Sequence, residues 1–325
     1  MKEAERLDME SFLAELKAER QPILFVPNSG NAGDALIGHA TFQLFNRLDL
    51  DYECLVDYRQ FDPSGRVVVC AGGGNFVPLY HGTERVLRWA GGRARRVILL
   101  PHTIRGNDEL LADLGPEVDL ICREAVSYRH VSGTVRAAHC HLADDMAFSL
   151  DVQNILSNGP APISLLSLYG RKLSYRLFNP SRIKTVPSPR KIRRGGRLLA
   201  ARRTALAPGG TPTGVLHAFR TDVEKTAAPV PTDNLDLAKE FSHGTKSPLV
   251  CHTGSFHMLR YLDTFEEVQT NRLHVSIGAA LLGKHVKFWP NSYFKNQAVY
   301  EFSMRDRFSK VEWVEADREI PAHPA

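Results

Sequence analysis

The sequence predicts an α/β protein made of two parallel-sheet units that face each other across a cleft. Three observations predict this. Short apolar runs have the length of buried strands, each leads into a loop rich in Gly, Asn or Pro, and helix-period stretches separate them. The runs form two sets, Ile23–Val26, Val67–Ala71, Val97–Leu100 and Leu120–Cys122, then Val215–Phe219, Leu249–Cys251 and Val286–Trp289. A chain of 325 residues can bury two cores of ordinary size.

Composition narrows the class. With 43% apolar and 24% charged residues the chain reads as globular. Its longest apolar runs, such as Val97–Leu100, fall far short of the roughly 20 residues a bilayer needs. The N-terminal stretch mixes acidic and basic residues and lacks the apolar core of a secretion signal, so a cytoplasmic location is expected. Within it Leu7, Phe12, Leu13 and Leu16 recur at helical spacing and predict a surface helix. The five cysteines are odd in number and dispersed, which argues against a disulfide framework. His139-Cys140-His141 lies on a predicted strand, where alternation sends Cys140 to the opposite face, so no metal site is expected.

Taken in order, Ile23–Val26 runs into Asn28-Ser29-Gly30-Asn31-Ala32-Gly33-Asp34, after which Ile37, Ala40, Leu44 and Leu48 mark a helix. Here two glycines, an amide and a carboxylate precede a helix start with free N–H groups, a setting suited to an anion. Asp34 can cap that helix or act on a substrate hydroxyl. Val67–Ala71 leads to the loop Gly72-Gly73-Gly74-Asn75, whose backbone can approach a ligand but whose spacing is not that of a dinucleotide site. Val97–Leu100 leads to Pro101-His102-Thr103, and Leu120–Cys122 to Arg123-Glu124. The first unit is expected to span residues 1–151.

A connecting segment, 152–213, follows. From Val152 to Thr221 there is no Asp or Glu but there are 13 Lys or Arg, and outside that stretch 28 basic residues face all 36 acidic ones. The positive charge is therefore local. Pro187, Pro189, Gly195 and Gly196 interrupt it, so it reads as mobile or partly ordered. Either it is a solvated linker or, with apolar Ile163, Leu165, Leu166, Leu168, Tyr169, Leu173, Leu177 and Phe178 interleaved, residues 163–203 dock to an anionic surface, either membrane phospholipid or a diphosphate-linked glycan carrier. The acidic remainder and the absence of a recognition fold argue against nucleic acid.

In the second unit, 214–325, the strand ending at Phe219 is followed by Arg220-Thr221-Asp222. Thr270-Asn271-Arg272-Leu273-His274 opens a helix through Ile277 and Leu281, so a guanidinium and an imidazole meet the positive end of a helix dipole. That combination suits a small molecule carrying phosphate and carboxylate. Gly278 to Lys284 imitates a phosphate loop, yet His285 stands where a Ser or Thr should bind magnesium, and the string closes a helix rather than opening one. Gly283 is therefore read as a helix C-cap. Arg305 onward is expected to form a packing helix and a loose end.

The ordered series Gly30-Asn31-Ala32-Gly33-Asp34, Ala71-Gly72-Gly73-Gly74-Asn75, Leu100-Pro101-His102-Thr103-Ile104, Arg123-Glu124, Asp144-Asp145-Met146-Ala147-Phe148, Phe219-Arg220-Thr221-Asp222 and Asn271-Arg272-Leu273-His274 resembles the polysaccharide pyruvyl transferase family. The resemblance covers about Ile23–Asp151 and Val215–Phe302. It implies two Rossmann-like domains in a glycosyltransferase-B-like arrangement, no metal and no cofactor. It further implies phosphoenolpyruvate as donor and, as product, a pyruvate ketal on a lipid-linked sugar of a surface or exopolysaccharide. Carried onto this chain, His274, Arg272, Arg220 and Asp34 would be catalytic, while Asn31, Gly33, Gly73, Gly74, Asn75, His102, Arg123, Asp222 and Asn271 would contact substrate. Asn271 stands where the family often has an acidic residue. Two rival readings are a nucleotide-sugar glycosyltransferase of the same architecture and a non-catalytic polysaccharide-assembly protein.

Overall fold

Continuous apolar runs fold as central strands because both faces of a parallel sheet are covered. In the computed structural model, which describes residues 5–160, 164–204, 206, 210–225 and 230–315, Ile23–Val26 (β1), Val67–Cys70 (β3) and Val118–Cys122 (β6) are such strands. With Tyr52–Cys54 (β2), Gly73–Phe76 (β4), Arg96–Ile104 (β5) and His139–Leu142 (β7) they form one parallel sheet in the order β2-β1-β3-β5-β6-β7, with β4 beside β5. The helices of this half are Met9–Ala14 (α1), Ala32–Arg47 (α2), Gly82–Ala90 (α3), Asp108–Asp113 (α4), Ala125–Thr134 (α5) and Val152–Ser157 (α6).

A second, four-stranded parallel sheet, order β11-β10-β9-β8, holds Val215–His217 (β8), Glu267–Thr270 (β9), His285–Phe288 (β10) and Val311–Trp313 (β11). Its helices are Leu165–Phe178 (α7), Pro189–Arg203 (α8), Leu237–Glu240 (α9), Pro248–Leu262 (α10), Leu273–Leu281 (α11) and Lys295–Val299 (α12). One apolar core runs from Phe25 through Leu36 of α2 and Leu259 of α10 to Val268 and Phe288. Small residues allow that contact: a methyl on Gly254 would lie 3.4 Å from the Ala35 Cβ, and Ser255 bonds the Ala35 carbonyl at 3.3 Å. The two sheets thus share a packed layer, where separate cores were expected.

Several local expectations change. Leu249–Cys251 is not a strand but the start of α10, because Ser247 caps a helix with Pro248 at its first position, a pairing that favours a helix start. Gly73–Asn75 is not free loop; it pairs with an extended β5 that takes in Pro101-His102-Thr103. The basic connector is largely helical, as α7 and α8, with Leu168 and Leu199 as buried anchors. After Met304 the chain forms edge strand β11 where a helix was expected. Ile163 and the tail from 316 lie outside the described residues. Gly283, at φ +71°, does end α11.

His39 and His243 are buried, and among the described residues neither has an ion-pair partner. Burial, reinforced by neighbouring His252 and His257, pushes His39 and His243 down to about 3. The unfolded chain binds protons below about pH 6.5 that the folded chain refuses, so stability falls as pH drops from 6.5 toward 3. Each such histidine can contribute up to about 1.4 kcal/mol per pH unit within that window. Urea midpoints should therefore decline steadily between pH 7 and 5, and His243→Leu should flatten the profile.

Candidate active site

Residues that follow β1, β6, β8, β9 and β10 line one cavity of about 370 Å³. In the first sheet β1 lies between β2 and β3, so the chain order reverses at its carboxyl end. Such a reversal leaves a crevice between successive loops and is the usual ligand position in open α/β sheets.

The N-terminus of α2 forms one wall. The Asn31 side chain accepts the Gly33 N–H at 2.8 Å, and Asp34 accepts the Asn31 N–H at 2.9 Å, a reciprocal cap. Against it lies His274, in the first turn of α11. A Cβ on Gly33 would sit 2.7 Å from His274 Nδ1, so only glycine lets these two helix starts meet. The other ring nitrogen, Nε2, is 3.5 Å from Asp145 Oδ2.

Asp145 belongs to a buried pair. Arg123 Nη1 donates to it at 2.6 Å and Arg123 Nε donates to Thr103 at 2.9 Å. Burial alone would raise the Asp145 carboxyl, but Arg123 and His274 outweigh it and hold it well below the usual carboxylate range. Gly74 makes room for the guanidinium, since a Cβ there would lie 2.5 Å from Arg123 Nη2.

The opposite wall is a network of charges. Arg272 forms a two-pronged contact with Asp236 at 2.6 and 2.7 Å and reaches Asp222 at 3.0 Å. The charge partner that Asn271 does not provide comes from these two aspartates. Arg220 grips Asp222 at 2.7 and 3.1 Å and Glu224 at 2.5 Å. Glu224 also takes Lys295 Nζ at 2.6 Å and Tyr80 Oη at 2.8 Å. Burial, with Arg220 and Arg123 nearby, depresses Lys295 to about 8 against the pull of Glu224. Arg85, Arg123, Arg220, Arg272 and Lys295 thus face the cavity with Asp34, Asp222 and Glu224, a surplus of two positive charges along its lining.

The structure brings Asn31, Gly33, Asp34, Gly74, Asn75, Arg123, Arg220, Asp222, Arg272 and His274 to this cavity, but not Gly73, His102 or Asn271. His102 is fully buried behind Asn75, whose side-chain oxygen it meets at 2.8 Å, and burial pushes it down to about 3. Asn271 accepts the Arg220 backbone N–H at 2.8 Å, which positions that arginine. Both support lining residues. Tyr80, Glu224 and Lys295 escaped the sequence reading, because a single Tyr, Glu or Lys in a polar stretch has no motif. No cluster of metal-ligating side chains occurs among the described residues.

Comparisons with known proteins agree with this architecture. The chain aligns with a protein of Klebsiella pneumoniae subsp. pneumoniae, described as functionally uncharacterized, at a TM-score of 0.68 and 25% identity over 94% of this chain and 96% of that one. No curated protein matches. Residues 31–286 match the family described as polysaccharide pyruvyl transferase, a span that takes in most of both sheets and most of the cavity lining, though not β1, β11, Ser29, Gly30 or Lys295. The chain therefore belongs to the polysaccharide pyruvyl transferase family.

Proposed function

We propose that the protein transfers the pyruvyl group of phosphoenolpyruvate to two hydroxyls of a polysaccharide sugar, forming a ketal and releasing phosphate. The observation that carries this reading is the cavity itself. It places a histidine and several guanidinium groups around a volume suited to a small di-anionic donor, beside loops open to a sugar.

In this reading Arg272, Arg220, Arg123 and Lys295 hold the donor's carboxylate and phosphate. Asp222, the most exposed carboxylate of the Arg220–Arg272 network, is the group a bound anion would displace. His274 donates a proton to the donor's methylene carbon, leaving C2 electrophilic. One sugar hydroxyl adds to C2; the second then displaces phosphate and closes the ring. Of the two hydroxyl protons, one restores His274 and the other leaves with phosphate, with Asp34 or Asp222 as the relay base. Asp145 orients the imidazole through Nε2.

Helix α7 supports peripheral docking. Leu166, Tyr169, Leu173 and Leu177 are exposed at spacings of three and four residues, so they share one face, and Arg171, Lys172 and Arg176 belong to the same helix. An apolar stripe among basic side chains matches an anionic lipid surface. No described helix is long and apolar enough to cross a membrane.

The test is phosphate release from phosphoenolpyruvate with a panel of galactose-, mannose- and glucose-terminated acceptors. Acceptor-dependent release with a pyruvylated product is the expected result. Release of a nucleoside diphosphate from a nucleotide sugar instead would reassign the protein as a glycosyltransferase.

A further inference from the structure

A second cavity, of about 630 Å³, adjoins the first and shares Ser29, Gly82 and Arg85 with it. It lies beyond the carboxyl ends of β1, β2 and β3, and Pro180, Ser181 and Lys184 from the turn that follows α7 form part of its wall.

Its charge is uncompensated. Among the described residues Asp57 is the one carboxylate in its lining, and Arg59 grips both oxygens of that group at 2.8 and 3.0 Å. Arg85, Lys184 and Lys246 remain, and among the described residues none of them forms an ion pair. Arg85 spends its Nε on the His81 carbonyl at 3.1 Å, and Lys246 donates to the Pro27 carbonyl at 3.1 Å. Burial, with Lys184 nearby, depresses Lys246 below its ordinary value, although Cys54 and Asp57 pull the other way. Lys246 is partly buried without an ion-pair partner, a desolvation cost that a bound anion would recover, while exposed Arg85 and Lys184 leave two more cationic side chains at the cavity's mouth for the same anion. In the first cavity, by contrast, Arg123, Arg220, Arg272 and Lys295 all pair with carboxylates.

We infer that this second cavity is an anion subsite for the acceptor, and that it holds the phosphate or diphosphate through which the sugar is joined to its carrier. Chain connectivity supports the direction of entry. The exposed apolar face of α7 ends at Phe178, six residues before Lys184, so the element that would meet the carrier's lipid continues directly into the wall of the anion subsite. From there the shared residues Ser29, Gly82 and Arg85 lead to the donor cavity, which places the sugar between the two. This inference rests on the pyruvyl-transfer reading for the order of the subsites, but not for the binding of the anion.

Calorimetric titration with pyrophosphate, with short-chain alkyl hexosyl diphosphates and with the matching alkyl hexosides tests the subsite. Lys184→Ser changes an exposed residue, and Lys246→Met keeps most of the side-chain volume. The hexosyl diphosphates should bind at least about tenfold tighter than the hexosides, and each variant should weaken them about tenfold, the equivalent of one charge-assisted hydrogen bond. Phosphoenolpyruvate affinity should not change in either variant. Equal binding of hexosides and hexosyl diphosphates, or variants without effect on either, would overturn the inference. Lysine-dependent binding of pyrophosphate but not of hexosyl diphosphates would show a site for free inorganic anion and would also overturn it. The transfer assay separates the two claims. Lysine-dependent hexosyl diphosphate binding without turnover keeps the subsite and refutes the reaction; turnover on hexosides and diphosphates alike, unaltered in both variants, keeps the reaction and refutes the subsite.

Discussion

Replacing His274 by Gln is expected to lower phosphate release from phosphoenolpyruvate by about a hundredfold to ten-thousandfold, the range for a lost general acid. Glutamine can reach Asp145 as the imidazole does, but it cannot deliver a proton at neutral pH. The donor KM should change little, because the anion is held by Arg272, Arg220, Arg123 and Lys295. Steady-state kinetics paired with a urea midpoint separates chemistry from folding: a folded variant with normal turnover would remove His274 from the reaction. The histidine meets Gly33 across the interface of α2 and α11, so Gly33→Ala should reproduce part of the loss by displacing the ring.

Arg123→Met is expected to destabilise the protein by about 3–5 kcal/mol, because it leaves Asp145 as a buried charge without its guanidinium. Both side chains are essentially inaccessible, at 1% and 0%. Asp145→Asn should have a similar effect, while the double variant should cost clearly less than the two single losses together, since no charge is stranded. Urea unfolding of the three proteins reads this coupling directly. Additive losses would mean that the pair does not act as a unit. Because Asp145 also contacts His274, Asp145→Asn should reduce turnover more than Arg123→Met does at matched folded fraction.

Much of the first half was legible because local signals agreed with the tertiary outcome. Ile23–Val26 and Val67–Cys70 are uninterrupted β-rich runs, and Asn31 and Asp34 carry the chemistry of a helix start. The second half was harder. Glu267-Val268-Gln269-Thr270 has Val268 as its one apolar residue, yet becomes a central strand because β8 and β10 flank it. Leu249-Val250-Cys251 has strand composition, but Ser247 and Pro248 start a helix that then packs on α2.

Sequence alone determined the α/β class, the family and the arginines and histidine at strand and helix ends, because these depend on residue type and spacing along the chain. Only the tertiary structure decided that Asn271 and His102 stand behind the site, and that Glu224 and Lys295 join it. It alone also showed that three cations line a second cavity without ion-pair partners among the described residues. The reason is physical: whether a charge is paired, buried or open to a ligand depends on groups from distant parts of the chain, and no local pattern records their distance.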